Sequence, residues 1–385
     1  MALTYLDAQI ESFPEAASIF NELKQEWRNK LYHQLMEKVL DLSVHPFFAE
    51  KPRLLGLYTG FVRTFEGQVN ELSLMRFCIA CSEQCDDAAS AQQFLEDVLS
   101  RSFVEASREA TLVGKLEVAH LELAQGNRVA CETILDNVRK TLDRVSGLAA
   151  QVHSGFYRVR LELDKVMGHA HDFYENALLL LSYTPIENIP KRDRLTLAAD
   201  IANAALTSPK AFGFGELLAH GIMQSLQQSP AHEWRYRLLE AFSNGDLSRF
   251  QAILQERVQQ KCAFVSANAD MLNNKMRTSA LIDLLFKRPK DERSLPFADI
   301  AQRCQVKLEA VELLLMKAMA LGLLKGSIDE VEQVVHVTWV QPRVLGVSQM
   351  SDLLHHMSHW CQQVEQTTAL LEGALQHSKE FPLGE

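Results

Sequence analysis

Residues 294–345 read SLPFADIAQRCQVKLEAVELLLMKAMALGLLKGSIDEVEQVVHVTWVQPRVL, and no other stretch constrains the fold as tightly. Leu295-Pro296 predicts a short strand, with Pro296 tolerable because the strand takes a sheet edge. A helix is expected over 297–304 and a strongly apolar one over 308–319. Residues 323–328 and 334–339 then alternate as a two-stranded wing. Strand, helix, turn, helix and wing is the order of a winged helix. The helix that reads DNA in such a fold normally carries Arg, Lys, Asn or Gln towards base edges. Here it carries Glu309 and Glu312 against Lys317, and the wing adds Asp329, Glu330 and Glu332 against Lys325. Duplex binding depends on neutralising phosphates, and these charges repel them.

A small wing leaves an edge strand whose N–H and C=O groups can pair with a neighbour's edge. Leu323, Ile328, Val335 and Val337 are the candidate protein interface there. A second assembly device follows at 348–378. Met350, Met357, Val364 and Leu371 fall seven apart, with Leu353/Leu354, Trp360/Cys361, Thr367/Thr368 and Ala374/Leu375 between them. This is a heptad seam sustained for roughly 45 Å. It either folds back on the chain's own winged helix or joins helices of other subunits. Methionine adapts to unlike partners, which favours the bundle. Met350, Met357, Trp360, Val364 and Leu371 are its candidate contacts.

Upstream, helical periodicity is nearly continuous and no strand is expected. Ala16, Ala17, Ile19, Phe20, Leu23 and Trp27 recur at helical spacing, as do Leu31, Leu35, Val39 and Leu40. Leu54 to Phe65 reads as one further helix, and Leu72, Met75 and Ile79 as another. Turns at His45-Pro46, Glu66-Gly67 and Asp86-Asp87 make these segments antiparallel pairs. A faint repeat runs through them: an apolar helix end, a glycine, then a second amphipathic helix. It is centred on Gly126, Gly168 and Gly245, spaced by 42 and 77 residues. A period of roughly 35–42 residues suits a helical-hairpin solenoid, with glycine closing the first helix of each pair. Residues 261–274 read as a short joint or helix start, and the first winged-helix helix is expected from Met271. Residues 287–293 form a charged loop, in which interrupting acidic residues weaken any nuclear-import signal.

The net charge of −10 offers no global attraction for nucleic acid or anionic membrane. Seven scattered cysteines point to a reducing compartment rather than a disulfide framework. The N-terminus lacks the features of a signal peptide, and the longest apolar run, near Ala177, is far short of a membrane span. A soluble intracellular protein is expected.

Catalytic and metal constellations are incomplete. Cys78, Cys81 and Cys85 share a helix face, but no second pair completes a tetrahedral zinc site. His355 and His359 have the spacing of a zincin, yet His356 stands where its glutamate is needed. His169-Ala-His171 lacks the serine and aspartate that a deubiquitinating metalloprotease places downstream. There is no P-loop, no G-x-S-x-G and no dinucleotide fingerprint. No enzyme activity, cofactor, metal or small-molecule substrate is expected.

The layout of helical array, winged helix and long terminal helix resembles the PCI-domain proteins. The motifs that carry the resemblance are Phe212-Gly-Phe-Gly215-Glu-Leu-Leu-Ala-His220, Ala241-Phe-Ser-Asn-Gly245-Asp-Leu-Ser-Arg-Phe250, Lys325-Gly-Ser-Ile-Asp-Glu330 and Thr338-Trp-Val-Gln-Pro-Arg-Val-Leu345. It is tightest over 205–345, and Leu31-Tyr-His-Gln-Leu35 and Val152-His-Ser-Gly-Phe-Tyr157 extend it more loosely. Lys307 departs from it, standing where a Ser or Thr would cap the third helix. The resemblance implies a mainly α fold: a TPR-like helical-hairpin solenoid over 1–260, whose last part is the helical half of the PCI module, a winged helix over 271–345, and an assembly helix over 348–378. It further implies a non-catalytic lid subunit of the proteasome regulatory particle, in cytoplasm and nucleus. Its partners would be other lid subunits of PCI and metalloprotease folds, in a large hetero-oligomer. The COP9 signalosome and translation initiation factor three use similar subunits and are the alternatives.

Overall fold

The computed structural model describes all residues except 1, 14–16, 44, 50, 146, 261, 289–293, 343–346 and 380–385. Residues 289–293 of the charged loop, Ala16 and the end of the winged-helix stretch at 343–345 therefore lie outside the described residues, whereas Lys287, expected in that loop, ends a helix. Packing divides the chain into two compact units, Met1–Pro190 and Lys191–Glu385.

The first unit is helical throughout its described residues. Its helices are α1 (Ala2–Ser12), α2 (Ala17–Arg28), α3 (Tyr32–Ser43), α4 (Arg53–Gly60), α5 (Glu71–Ser82), α6 (Ala88–Leu99), α7 (Ser102–Ala106), α8 (Arg108–Ala124), α9 (Arg128–Leu142), α10 (Ala150–Met167) and α11 (Ala170–Tyr183). One core gathers Phe20, Leu35, Phe48, Phe61 and Phe77; another, around α8 to α10, gathers Leu116, Cys131, Leu135, Phe156 and Leu163. The single helix expected from Leu54 to Phe65 stops at Gly60 and continues as 3₁₀ turns at Val62–Thr64 and Glu66–Gln68. The Tyr5 ring of α1 sits where a Gly60 side chain would be, 2.4 Å from the position of its Cβ.

The second unit opens with α12 (Lys191–Thr207), α13 (Gly215–Ala219), α14 (Gln224–Gln227), α15 (Glu233–Asn244), α16 (Leu247–Gln259) and α17 (Ala263–Lys287). It continues with β1 (Ser294–Pro296), α18 (Phe297–Cys304), α19 (Val311–Ala320), β2 (Leu324–Asp329), β3 (Val334–Val340) and α20 (Val347–Lys379). α17 starts eight residues before Met271, so the anticipated joint is mostly helix. Its alanines favour helix, and Val265 is buried alongside Leu272 and Met276. α17 is also the unit's axis, packing on α12, α15, α16, α18 and β3. Its Lys275 is almost fully buried and donates to the carbonyl oxygens of Ala205 (2.6 Å), Leu206 (3.2 Å) and Ser208 (2.6 Å). Burial pushes this lysine down to about 7. The carbonyls it bonds at the end of α12 and the rings of Phe212 and Phe214, 5.6 and 5.2 Å away, favour its charge instead.

The glycine repeat has a common geometry. Gly126, Gly168 and Gly245 adopt left-handed φ of 89°, 77° and 63°. After each, the next N–H returns to the carbonyl five residues back: Asn127 to Glu122 (2.9 Å), His169 to Asp164 (3.0 Å) and Asp246 to Ala241 (3.0 Å). This Schellman closure satisfies the helix end and turns the chain into the partner helix. The paired helices α8/α9, α10/α11 and α15/α16 pack together in each case.

Asp246 then caps α16, accepting from the Ser248 and Arg249 N–H groups (both 3.1 Å) and from the Ser248 hydroxyl (2.6 Å). These bonds, that from the Ser248 side chain foremost, hold its carboxyl below the usual range. Asp246→Ala is expected to cost about 1 kcal/mol in urea unfolding at pH 7. Because the folded-state pKa is depressed, the contribution is present above the unfolded value of about 4 and lost as pH falls through the folded value. The wild-type and variant unfolding midpoints should therefore converge in acid.

Candidate assembly interfaces

The winged helix closes as a three-stranded antiparallel sheet in the order β1-β3-β2, so β1 and β2 are its edges. Pro296 lies on the β1 edge, where its missing N–H breaks no ladder. The Phe297 N–H donates to the Gln333 carbonyl (2.8 Å), tying α18 to the end of the wing. Lys307 supplies no cap, and the third helix begins with a 3₁₀ turn at Leu308–Ala310 before α19. Asp329 accepts from the Val331 and Glu332 N–H groups (3.0 Å each) and folds the wing tip, leaving Val331 almost fully exposed.

The four wing candidates do not form a surface together. Leu323, Val335 and Val337 are buried and Ile328 is half-buried. Alternation along these strands marked the residues facing the module's own core. The side chains that do reach solvent are Leu308, Leu313 and Met316 around α19, and Trp339 beside Lys325, whose ammonium lies 5.3 Å from the indole ring. Apolar spacing on α19 exceeded what one buried face requires, and that surplus was the available signal. Glu309 is exposed and Glu312 half-buried on the same helix, so the acidic character expected of this face is retained.

On α20 the opposite holds. Met350 is 50% exposed, Met357 55%, Trp360 64%, Val364 47% and Leu371 60%. Leu354, Leu370 and every other described side chain from 357 to 371 are exposed too. The side chains of residues 353, 374 and 375 lie outside the described set. The described seam is thus a helix of 33 residues with its apolar positions uncovered. A stripe of this kind ordinarily pairs with other helices.

The incomplete constellations are accounted for by local structure. Cys78 and Cys81 are buried, and burial pushes the Cys78 thiol up to about 12 and raises that of Cys81. That is the reverse of what a nucleophilic thiolate needs. His171 pairs with Glu175 at 3.4 Å on its own helix. His169, Asp172 and Asp164 come near enough to share an ion, but the buried Asp164 carboxylate already meets the Arg160 guanidinium (3.2 Å) and the Asn176 amide (2.8 Å). His355 and His359 are exposed, and the His356 side chain lies outside the described set. No helix among the described residues is long and apolar enough to cross a membrane.

Two family models match in succession: the PSD13 N-terminal repeats over residues 19–239 and the PCI domain over 249–339. The 26S proteasome non-ATPase regulatory subunit 13 of Dictyostelium discoideum is 32% identical, covering 96% of each chain. Homolog B of that subunit in Arabidopsis thaliana is 33% identical, covering 96% of this chain and 97% of its own. Subunit M of eukaryotic translation initiation factor 3 from Coccidioides immitis is 24% identical over 54% of this chain and 44% of its own. The matches to the proteasome subunits run through the helical repeats and the winged helix alike, and with them the chain belongs to the family of the 26S proteasome non-ATPase regulatory subunit 13.

Proposed function

We propose that this chain is a non-catalytic scaffold subunit of the 26S proteasome's regulatory particle lid, acting in cytoplasm and nucleus. Its partners are other lid subunits, of PCI and metalloprotease folds, in a large hetero-oligomer. Its role is to hold them in position while ATP-dependent chemistry on ubiquitinated substrates proceeds elsewhere. Likeness to proteasome subunits across both domains carries this reading, since the likeness to the initiation factor covers about half the chain. The physical features support it: an edge strand on an acidic winged helix and a long uncovered apolar helix are means of assembly. The α20 seam takes the bundle contact through Met350, Met357, Trp360, Val364 and Leu371, and the wing contributes the β2 edge.

The test is gentle purification of the tagged chain from cells with ATP present, followed by mass spectrometry. Stoichiometric lid and base subunits are expected. Recovery of initiation-factor or signalosome subunits in their place would overturn the assignment while keeping the architecture.

A further inference from the structure

Two neighbouring hairpins of the first unit, α8/α9 and α10/α11, pack together along α8 and α10. Part of that seam is charged. The His120 ring of α8 donates from Nδ1 to the Glu162 carboxylate of α10 at 2.7 Å, and both side chains are 39% exposed. Glu117 lies half-buried one turn before His120 on α8. Arg158 lies one turn before Glu162 on α10, its Nε 3.9 Å from that carboxylate. Glu83, exposed at the end of α5, brings a third carboxylate near Glu117.

The other elements packed on α8 leave this balance as it is. From α9 the facing titratable group is the buried Cys131 thiol, pushed up to about 11 by burial foremost and so uncharged near neutrality. From α6 it is the neutral Gln92 amide that reaches α8, donating to Glu122 at 2.9 Å. Three carboxylates therefore face one guanidinium, and the shortage of positive charge is made good by protons on the imidazole and then on Glu117. The Glu162 hydrogen bond foremost raises His120 above its ordinary value. Burial foremost, with Glu83 and Glu162 adding to it, raises Glu117.

We propose that Glu117, His120 and Glu162 form a proton-operated clamp between the two hairpins. It is tight while His120 is charged, and it loosens when a neutral ring leaves the carboxylates facing one another. Both folded-state values lie above the unfolded ones. Each contribution is therefore fully present below the unfolded value, about 6.5 for the imidazole and about 4.3 for the carboxyl, and is lost as pH rises through the folded value. The clamp closes in mild acid, the opposite sense to the Asp246 cap.

Two measurements on the full chain test this. In the first, NMR follows the titration of the His120 ring, assigned by the signal lost in His120→Gln. Its midpoint should fall in Glu162→Gln and, by less, in Glu117→Gln. In the second, amide hydrogen exchange along α10 compares the wild type with His120→Gln, after correction for intrinsic rates. At about pH 5.5 the wild type should exchange about two- to fivefold more slowly, the size usual for a partly exposed ion pair, and at about pH 8.5 the two should agree. Circular dichroism checks that each variant is folded. A His120 midpoint unmoved by Glu162→Gln would leave the pair without coupling and overturn the clamp. So would no difference in protection at either pH, an equal one at both, or one of opposite sign.

Discussion

Gly245→Val is expected to unfold the second unit or lower its stability by about 4 kcal/mol or more, beyond the range of ordinary substitutions. Two causes act together. Gly245 has φ of +63°, a conformation that costs an L-residue about 1–2 kcal/mol and a β-branched one the most. A Cβ there would also lie 2.6 Å from the Cβ of Asp283 and 3.2 Å from the Cα of Ala280, both on α17. α17 has little room to withdraw. Ser279 donates to the Phe242 carbonyl at 2.5 Å, and the buried Asp283 carboxylate holds Lys287 (2.8 Å) and Arg303 (3.5 Å). Gly126→Val is the control. Gly126 is left-handed too, but its Cβ would meet nothing within 4 Å, so only the conformational cost of about 1–2 kcal/mol is expected. Urea unfolding of the two variants compares them directly. Equal losses would mean that the close approach to α17 does not hold this turn.

Deleting residues 348–385 is expected to abolish entry into the assembly while leaving a folded chain. The described side chains of the α20 seam are exposed, so their loss opens no cavity in the remaining protein. In the assembly the same side chains would be buried, and a central aromatic anchor such as Trp360 commonly carries 2 kcal/mol or more of a contact. Met357→Glu combined with Trp360→Glu should reproduce the deletion, because a buried unpaired carboxylate costs several kcal/mol. Thermal unfolding reads the first half of the prediction and co-purification the second. Normal incorporation of the truncated chain would sink the bundle contact, whereas a collapsed thermal midpoint would mean that α20 supports its own chain.

The winged helix was the most legible part of the sequence because its signals are local. Leu295-Pro296 starts an edge strand, Phe297 opens α18, and alternation from Val334 marks β3, each within a residue or two of its observed bounds. Left-handed glycines were likewise readable, since the turn chemistry sits at the glycine itself. What escaped depends on distant contacts. At the break by Gly60 the glycine is met by Tyr5, some 55 residues earlier, and the early start of α17 goes with the burial of Val265. Candidate interfaces divided in the same way. Alternation reports that Val335 and Val337 are apolar and inward, but not whether inward means a partner or the chain's own core. On α20 the described apolar side chains have no core of their own to enter, and there the heptad spacing corresponds to an exposed stripe.

The distribution of thiols provides a native chemical clock. Cys78, Cys81, Cys131 and Cys304 are buried, Cys85 and Cys262 half-buried, and Cys361 alone among the seven is exposed, next to Trp360 midway along α20. A maleimide added to the folded chain should therefore react first at Cys361, at a rate set by whatever covers that helix. Fast in the free subunit and slow once α20 is enclosed, the reaction would time assembly in solution without an introduced label site.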